Sequence, residues 1–164
     1  MNAANRANTA TRHLPRLADR IRDPYRAAQK PAQPATCRDC GAVYHRGHWS
    51  WGRQSAEAHL LRCPACLRIR DQYPAGYLSL KGDFALANRA ELMHFVRERG
   101  EHERSEHPLE RLMAVEETED GLLVTTTGTH LARVLVQAVK SAYAGRQWMR
   151  YDRDENRVRI TWRK

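Results

Sequence analysis

Four cysteines in two Cys-x2-Cys pairs, Cys37 with Cys40 and Cys63 with Cys66, constrain the fold of this 164-residue chain more than any other feature. Each short turn supplies a chelating pair of sulfurs, and 22 residues separate one pair from the next. The doubled spacing reads as a tetrathiolate zinc site, because tetrahedral Zn2+ takes four thiolates at about 2.3 Å. A closed four-sulfur shell has no position left for water, so such a site is structural rather than catalytic. The alternatives are a redox-active dithiol or an iron–sulfur cluster with the same ligand count. His45, His48 and His59 lie between the pairs, but four cysteines already complete the shell.

Disulfides would need an oxidising compartment, and residues 1–30 carry no apolar signal segment, so a reduced, cytoplasmic protein is the expectation. No apolar run approaches the roughly 20 residues of a spanning helix. The 28 Lys and Arg residues outnumber the 19 Asp and Glu residues, for a formal charge of +9. An excess of that size argues for a polyanionic partner, since each cation that neutralises a phosphate releases a condensed counterion. The excess is +5 in residues 1–36, +3 in 37–80 and +1 in 81–164.

Composition then divides the chain. Residues 1–36, built from Ala, Asn, Thr, Arg and Pro, bury too little apolar surface to offset chain entropy and read as a disordered basic arm, with at most a helical turn around Leu14, Leu17 and Ile21. Their Arg-rich character also resembles an organellar transit peptide, although Ser is missing. Residues 37–80 read as a zinc-ribbon module: a knuckle at Gly41, a hairpin over His45 to Trp51, and a short helix from Gln54 to Arg62 that delivers Cys63. Residues 81–164 read as an α+β domain. It opens with an amphipathic helix over 83–99 that Gly100 ends, and an acidic linker near 101–120 follows. Strands at 112–117 and 122–127 flank the turn dipeptide Asp120-Gly121. A helical stripe runs from Leu131 to Ala142, capped by Thr127 or Thr129 and ended by Gly145. Strands at 147–151 and 157–163 complete a β-β-α-β-β order, which implies an antiparallel sheet with a helix on one face.

Arg38, Arg46, Arg53, Arg62, Arg68 and Arg70 surround the cysteine pairs, interleaved with Tyr44, Trp49 and Trp51. Guanidinium forks grip phosphates and aromatic rings stack on bases, so Trp49, Trp51 and these six arginines are the candidate nucleic-acid residues. The competing reading packs the aromatics over the metal site and leaves the arginines for solubility. The last strand offers a second surface, with Val158, Ile160 and Trp162 alternating with Arg157, Arg159, Thr161 and Arg163. If Met149 and Tyr151 join the core, Trp148 and Arg150 stand beside those arginines; otherwise the row is a solvated edge. No catalytic constellation emerges. Thr125 to Thr127 read as strand and cap, Glu106 and His107 lack a nucleophile, and no Gly-rich phosphate loop occurs.

The motifs Cys37-Arg38-Asp39-Cys40-Gly41 with Tyr44 and Trp49, and Cys63-Pro64-Ala65-Cys66, resemble the zinc-binding amino-terminal domain of the large-ribosomal-subunit nuclear export adapter family. A closer resemblance is to short bacterial zinc-ribbon proteins related to that domain. It rests on Tyr73-Pro74-Ala75-Gly76-Tyr77, His107-Pro108-Leu109, Leu123 to Thr127, and His130-Leu131-Ala132-Arg133, and covers about residues 35–164. The resemblance implies zinc on Cys37, Cys40, Cys63 and Cys66 and a link to ribosomes or RNA. The export adapters carry further Cys-x2-Cys pairs and a leucine-rich export signal, which this sequence lacks, so export itself is not implied.

The expectation is a non-enzymatic zinc-binding protein that binds RNA, ribosomal RNA foremost, through its arm and module. A protein-interaction adaptor contacting its partner through the α+β domain is the alternative class. A redox-switched chaperone that releases zinc on thiolate oxidation is a third.

Overall fold

Apolar side chains are sparse around the cysteines, and the strands that form there are short. Ala35–Cys37 (β1), Val43–His45 (β2), His48–Ser50 (β3) and His59–Leu61 (β4) make a four-stranded sheet in the order β3-β2-β1-β4. The computed structural model describes residues 23–26 and 30–164. β2 and β3 form the expected hairpin around Arg46 and Gly47, both at positive φ. The helix expected over Gln54 to Arg62 is not there. Its last residues are β4, which pairs in parallel with β1, with Leu60 65% exposed. That segment has no apolar stripe to bury, whereas pairing satisfies its backbone: the His59 amide donates to the Pro34 carbonyl and the Arg38 amide to that of Leu61. Cys63 then caps the helix Pro64–Arg70 (α1).

Gly76–Lys81 (β5) begins the second sheet. It is joined by Leu112–Thr118 (β6), Gly121–Thr126 (β7), Arg146–Asp152 (β8) and Arg157–Arg163 (β9), in the order β6-β7-β5-β9-β8. The two expected hairpins, β6–β7 and β8–β9, are present, but the all-antiparallel sheet is not. β5 lies between the hairpins and runs parallel to β9, so the sheet is mixed. Alternation along β5 explains its central place, since Leu78 and Leu80 are fully buried. The last residues assigned to the ribbon module therefore belong to the larger sheet.

Asp83–Ala87 (α2) and Arg89–Glu106 (α3) replace the single helix expected over 83–99, with a break at Asn88. α3 continues through Gly100 because Leu112 packs where a Cβ would stand; a side chain there would come within 2.5 Å of a Leu112 methyl. The acidic linker is also absent: Glu101 to Glu106 are the last turns of α3 and 112–118 are β6. Its carboxylates pair along the helix, Arg99 with Glu103 at 3.6 Å and Arg104 with Glu101 at 3.5 Å. Thr129–Tyr143 (α4) lays Leu131, Leu135, Val136 and Val139 on the sheet, all fully buried against Val124, Ile160 and Trp162. Its cap is neither Thr127 nor Thr129. The Glu110 carboxylate accepts the Leu131 amide at 2.9 Å, from 21 residues away.

Residues 23–26 and 35–36, expected in a disordered arm, make defined contacts. Asp23 pairs with Arg68 at 2.7 Å and accepts from Asn156, and Ala35 and Thr36 are β1. The expectations for 1–22 and 27–29, including the turn at Leu14 to Ile21, lie outside the described residues.

Candidate metal centre

Both cysteine pairs sit on tight turns, and pairing of β1 with β4 brings the turns together. The Cys37 amide donates to Ala42 and the Gly41 amide to Cys37, closing the first knuckle with Gly41 at φ +78°. The amides of Cys63 and Cys66 point at the Cys37 and Cys63 sulfurs, at 3.3 and 3.4 Å. All four sulfurs lie within 4.8 Å of one another, a cluster that could hold a metal ion, and Cys40 Sγ stands 3.8 Å from Cys63 Sγ. Four ligands at about 2.3 Å from one tetrahedral centre are about 3.8 Å apart, so the spacing fits a single ion. A multi-iron cluster, whose thiolates bind separate irons, needs them farther apart.

The protein alone sets the thiols apart. Burial pushes Cys63 up, and pushes Cys66 up to about 11 against the pull of Arg111. Burial also opposes ionisation of Cys37, but the amides of Cys63, Cys40 and Asp39 bring it down to about 7. A divalent ion would supply the charge needed to ionise all four.

One cation already faces the cluster, and it was not among the candidates. Arg111 is 7% exposed; its guanidinium donates to Cys40 Sγ at 2.9 Å and to Cys66 Sγ at 3.3 Å, with Cys63 Sγ at 3.7 Å. Its Nε donates to the Pro108 carbonyl at 2.7 Å, which fixes the fork, and its backbone amide donates to Thr127 Oγ1. Arg111 immediately precedes β6, so the five-stranded sheet reaches into the cysteine cluster of the other. Trp51 completes the joint, its Nε1 donating to the Arg104 carbonyl at 2.6 Å and its ring 5.9 Å from the Arg111 guanidinium carbon. The sequence signal for Arg111 is its place as one of two arginines in the acidic stretch 101–120, just after Pro108.

The eight nucleic-acid candidates are not brought into one surface. Arg68 is buried at 2% and bonded to Asp23 and the Tyr73 carbonyl, so it serves the fold. Arg62 and Arg70 pair with Asp39 and Asp71, each at 2.7 Å. Trp49 packs on Tyr44 at 5.3 Å, and Trp51 is held in the joint. Arg38 donates to the Leu60 carbonyl, while Arg46 and Arg53 are exposed in loops.

Arginine and tyrosine alternate in a ladder elsewhere. Arg68 lies 4.5 Å over Tyr25, Arg157 lies 4.5 Å over Tyr73, and Arg159 lies 4.3 Å over Tyr77. The ladder runs from residues 23–26 across the cysteine module to the five-stranded sheet.

No family model matches the chain, and no curated protein matches it. Function therefore has to be read from the geometry of its own residues.

Proposed function

We propose that this is a non-enzymatic protein that binds RNA and uses one structural Zn2+, held by Cys37, Cys40, Cys63 and Cys66, to fix its ribbon module. The observation that carries the reading is the closed sulfur cluster with Arg111 against it. Four thiolates around a divalent ion leave two negative charges, and Arg111, donating to Cys40 and Cys66, offsets one. Zinc supplies cohesion there, and the protein's own residues supply the docking. With no ligand position open at the centre, the remaining chemistry is recognition. The formal charge of +9 favours a polyanion, and the motif resemblance alone points to ribosomal RNA. A reducing, cytoplasmic setting belongs to the same reading, because it keeps the thiols available to the metal. Among the described residues no helix is long and apolar enough to cross a membrane.

The test is elemental analysis combined with binding of the full chain to a labelled 20-nucleotide single-stranded RNA over a range of salt. One zinc per chain is expected, and about 5 to 8 phosphate contacts predict a log–log salt slope of about −4 to −6. A flat salt dependence would remove the RNA reading. It would favour the adaptor, which the exposed Trp148, Met149 and Tyr151 on the edge strand β8 support.

A further inference from the structure

Among the described residues, helices cover only one face of the five-stranded sheet. Leu78, Leu80, Ile160 and Trp162 point to α3 and α4, so their neighbours in sequence point away. Register puts Tyr77, Arg159 and Arg150 in one row of that open face, across β5, β9 and β8. Trp148 stands beside Thr161 in the next row, and Arg163 faces Arg146 in the third.

The charges on this face differ from those around the cysteines. Among the described residues, Arg146, Arg150, Arg159 and Arg163 are exposed and form no ion pair, whereas three of the six arginines around the cysteines, Arg62, Arg68 and Arg70, are each tied to an aspartate, and the exposed Arg38, Arg46 and Arg53 lie over no Trp or Tyr ring. Asp152 stands opposite Arg157, which pairs with Glu155 at 2.7 Å. Arg150, Asp152, Arg157 and Arg159 line a cleft of about 250 Å³. Two flat platforms accompany the free cations. Trp148 is 55% exposed, and the guanidinium of the exposed Arg159 lies over Tyr77 at 4.3 Å. A guanidinium held this way loses little freedom on binding.

We infer that the open face of β5, β9 and β8 is the RNA-binding surface, and that its occupant is a single-stranded segment. Phosphates sit on Arg146, Arg150 and Arg163, and bases stack on Trp148 and on the Arg159 guanidinium. A duplex keeps its bases stacked on one another and could use only the arginines, so the exposed platforms select single strands. This inference rests on the RNA reading above and moves the contact from the cysteine module to the sheet.

The experiment uses the zinc-loaded full chain and fluorescein-labelled 20-nucleotide oligouridine, with a 20-base-pair RNA duplex and oligothymidine as comparison arms. The double variant Arg146→Gln/Arg150→Gln should bind oligouridine more weakly and reduce the salt slope by about 1.4, two contacts at about 0.7 each. Trp148→Ala should weaken binding by about five-fold or more, and Trp148→Phe should restore most of it, since a ring still stacks. All three positions are exposed, so melting should not change. The module variant Arg38→Gln/Arg46→Gln/Arg53→Gln should bind within about two-fold of wild type. If the module variant loses binding and the face variants do not, the RNA reading stands and the sheet face falls. Tighter binding of duplex than of oligouridine would also overturn the single-stranded occupant. Wild-type protein that binds neither RNA nor oligothymidine would end the RNA reading itself.

Discussion

Among the described residues, fifteen buried side chains, from Leu78 to Trp162, form the core beneath the five-stranded sheet, whereas the core beside the four-stranded sheet has five, three of them cysteines. Burying a Leu, Val or Ile contributes about 1.5–3 kcal/mol, so the larger unit can hold itself by apolar burial and the smaller cannot. The smaller unit has two other resources. One is its sulfur cluster; the other is a neighbour that lends Arg111 and Leu109 to it. The difference teaches that the cysteine site is at once the core of the ribbon module and the joint between the two sheets.

Disrupting the cysteine cluster tests this comparison most severely. Structural zinc contributes about 10–16 kcal/mol of apparent binding free energy in zinc-finger peptides, comparable to or greater than the whole stability of a small domain. Cys63→Ser should release the ion and unfold residues 37–73, while the five-stranded sheet keeps a cooperative melt. Limited proteolysis followed by mass spectrometry, with calorimetry in parallel, would show cuts confined to the module. Loss of both units in one transition would break the comparison, because the sheet would then depend on the module.

Arg111→Met should have an intermediate effect. The variant keeps the buried stem but removes the bonds to Cys40, Cys66 and the Pro108 carbonyl. Partners around a metal site typically change affinity 10- to 100-fold, and leaving buried acceptors unpaired costs about 1–3 kcal/mol. Competition with a chromogenic chelator should show weaker zinc binding, and the module should melt at a lower temperature relative to the five-stranded sheet than it does in wild type. Unchanged zinc affinity would mean that the guanidinium joins the sheets without tuning the centre.

What was legible in the sequence was local. The cysteine spacing, the Asp120-Gly121 hairpin and the alternation of Val158, Ile160 and Trp162 each depend on near neighbours, and each is found; the helical stripe is found at Leu131, Leu135 and Val139, but its buried face turns towards Ala132 and Val136 and leaves Ala142 exposed. Two kinds of feature were not legible. Partner choice is one: β5 shows its alternation within six residues, but nothing in them says that the strand lies between two later hairpins. Burial of a charged residue is the other. Arg68, Arg111 and Arg159 look alike in a sequence, yet one locks Asp23, one faces the sulfurs and one lies over Tyr77 on an open surface. Gly100 misled for a related reason, because a glycine that admits Leu112 has the same letter as one that ends a helix.

The smallest expected effect separates the joint from the helix cap beside it. Glu110 adjoins Arg111 and accepts the Leu131 amide at the start of α4. Burial raises its carboxyl above the usual 4.5, with Glu103 adding to the rise, while the Leu131 amide, His130 and His107 oppose it. A carboxyl whose folded value lies above its unfolded one binds protons more tightly in the native state. Its contribution is therefore complete below about pH 4.5 and is lost as pH rises through the folded value. Glu110→Gln keeps an oxygen for the Leu131 amide and cannot ionise. The gap in melting temperature between variant and wild type should be smallest near pH 4.5 and widen in the variant's favour towards pH 7, with zinc affinity unchanged. A gap that widens in favour of wild type would show that the helix start stabilises the carboxylate more than burial penalises it. A simultaneous loss of zinc would make residues 110 and 111 one device instead of two.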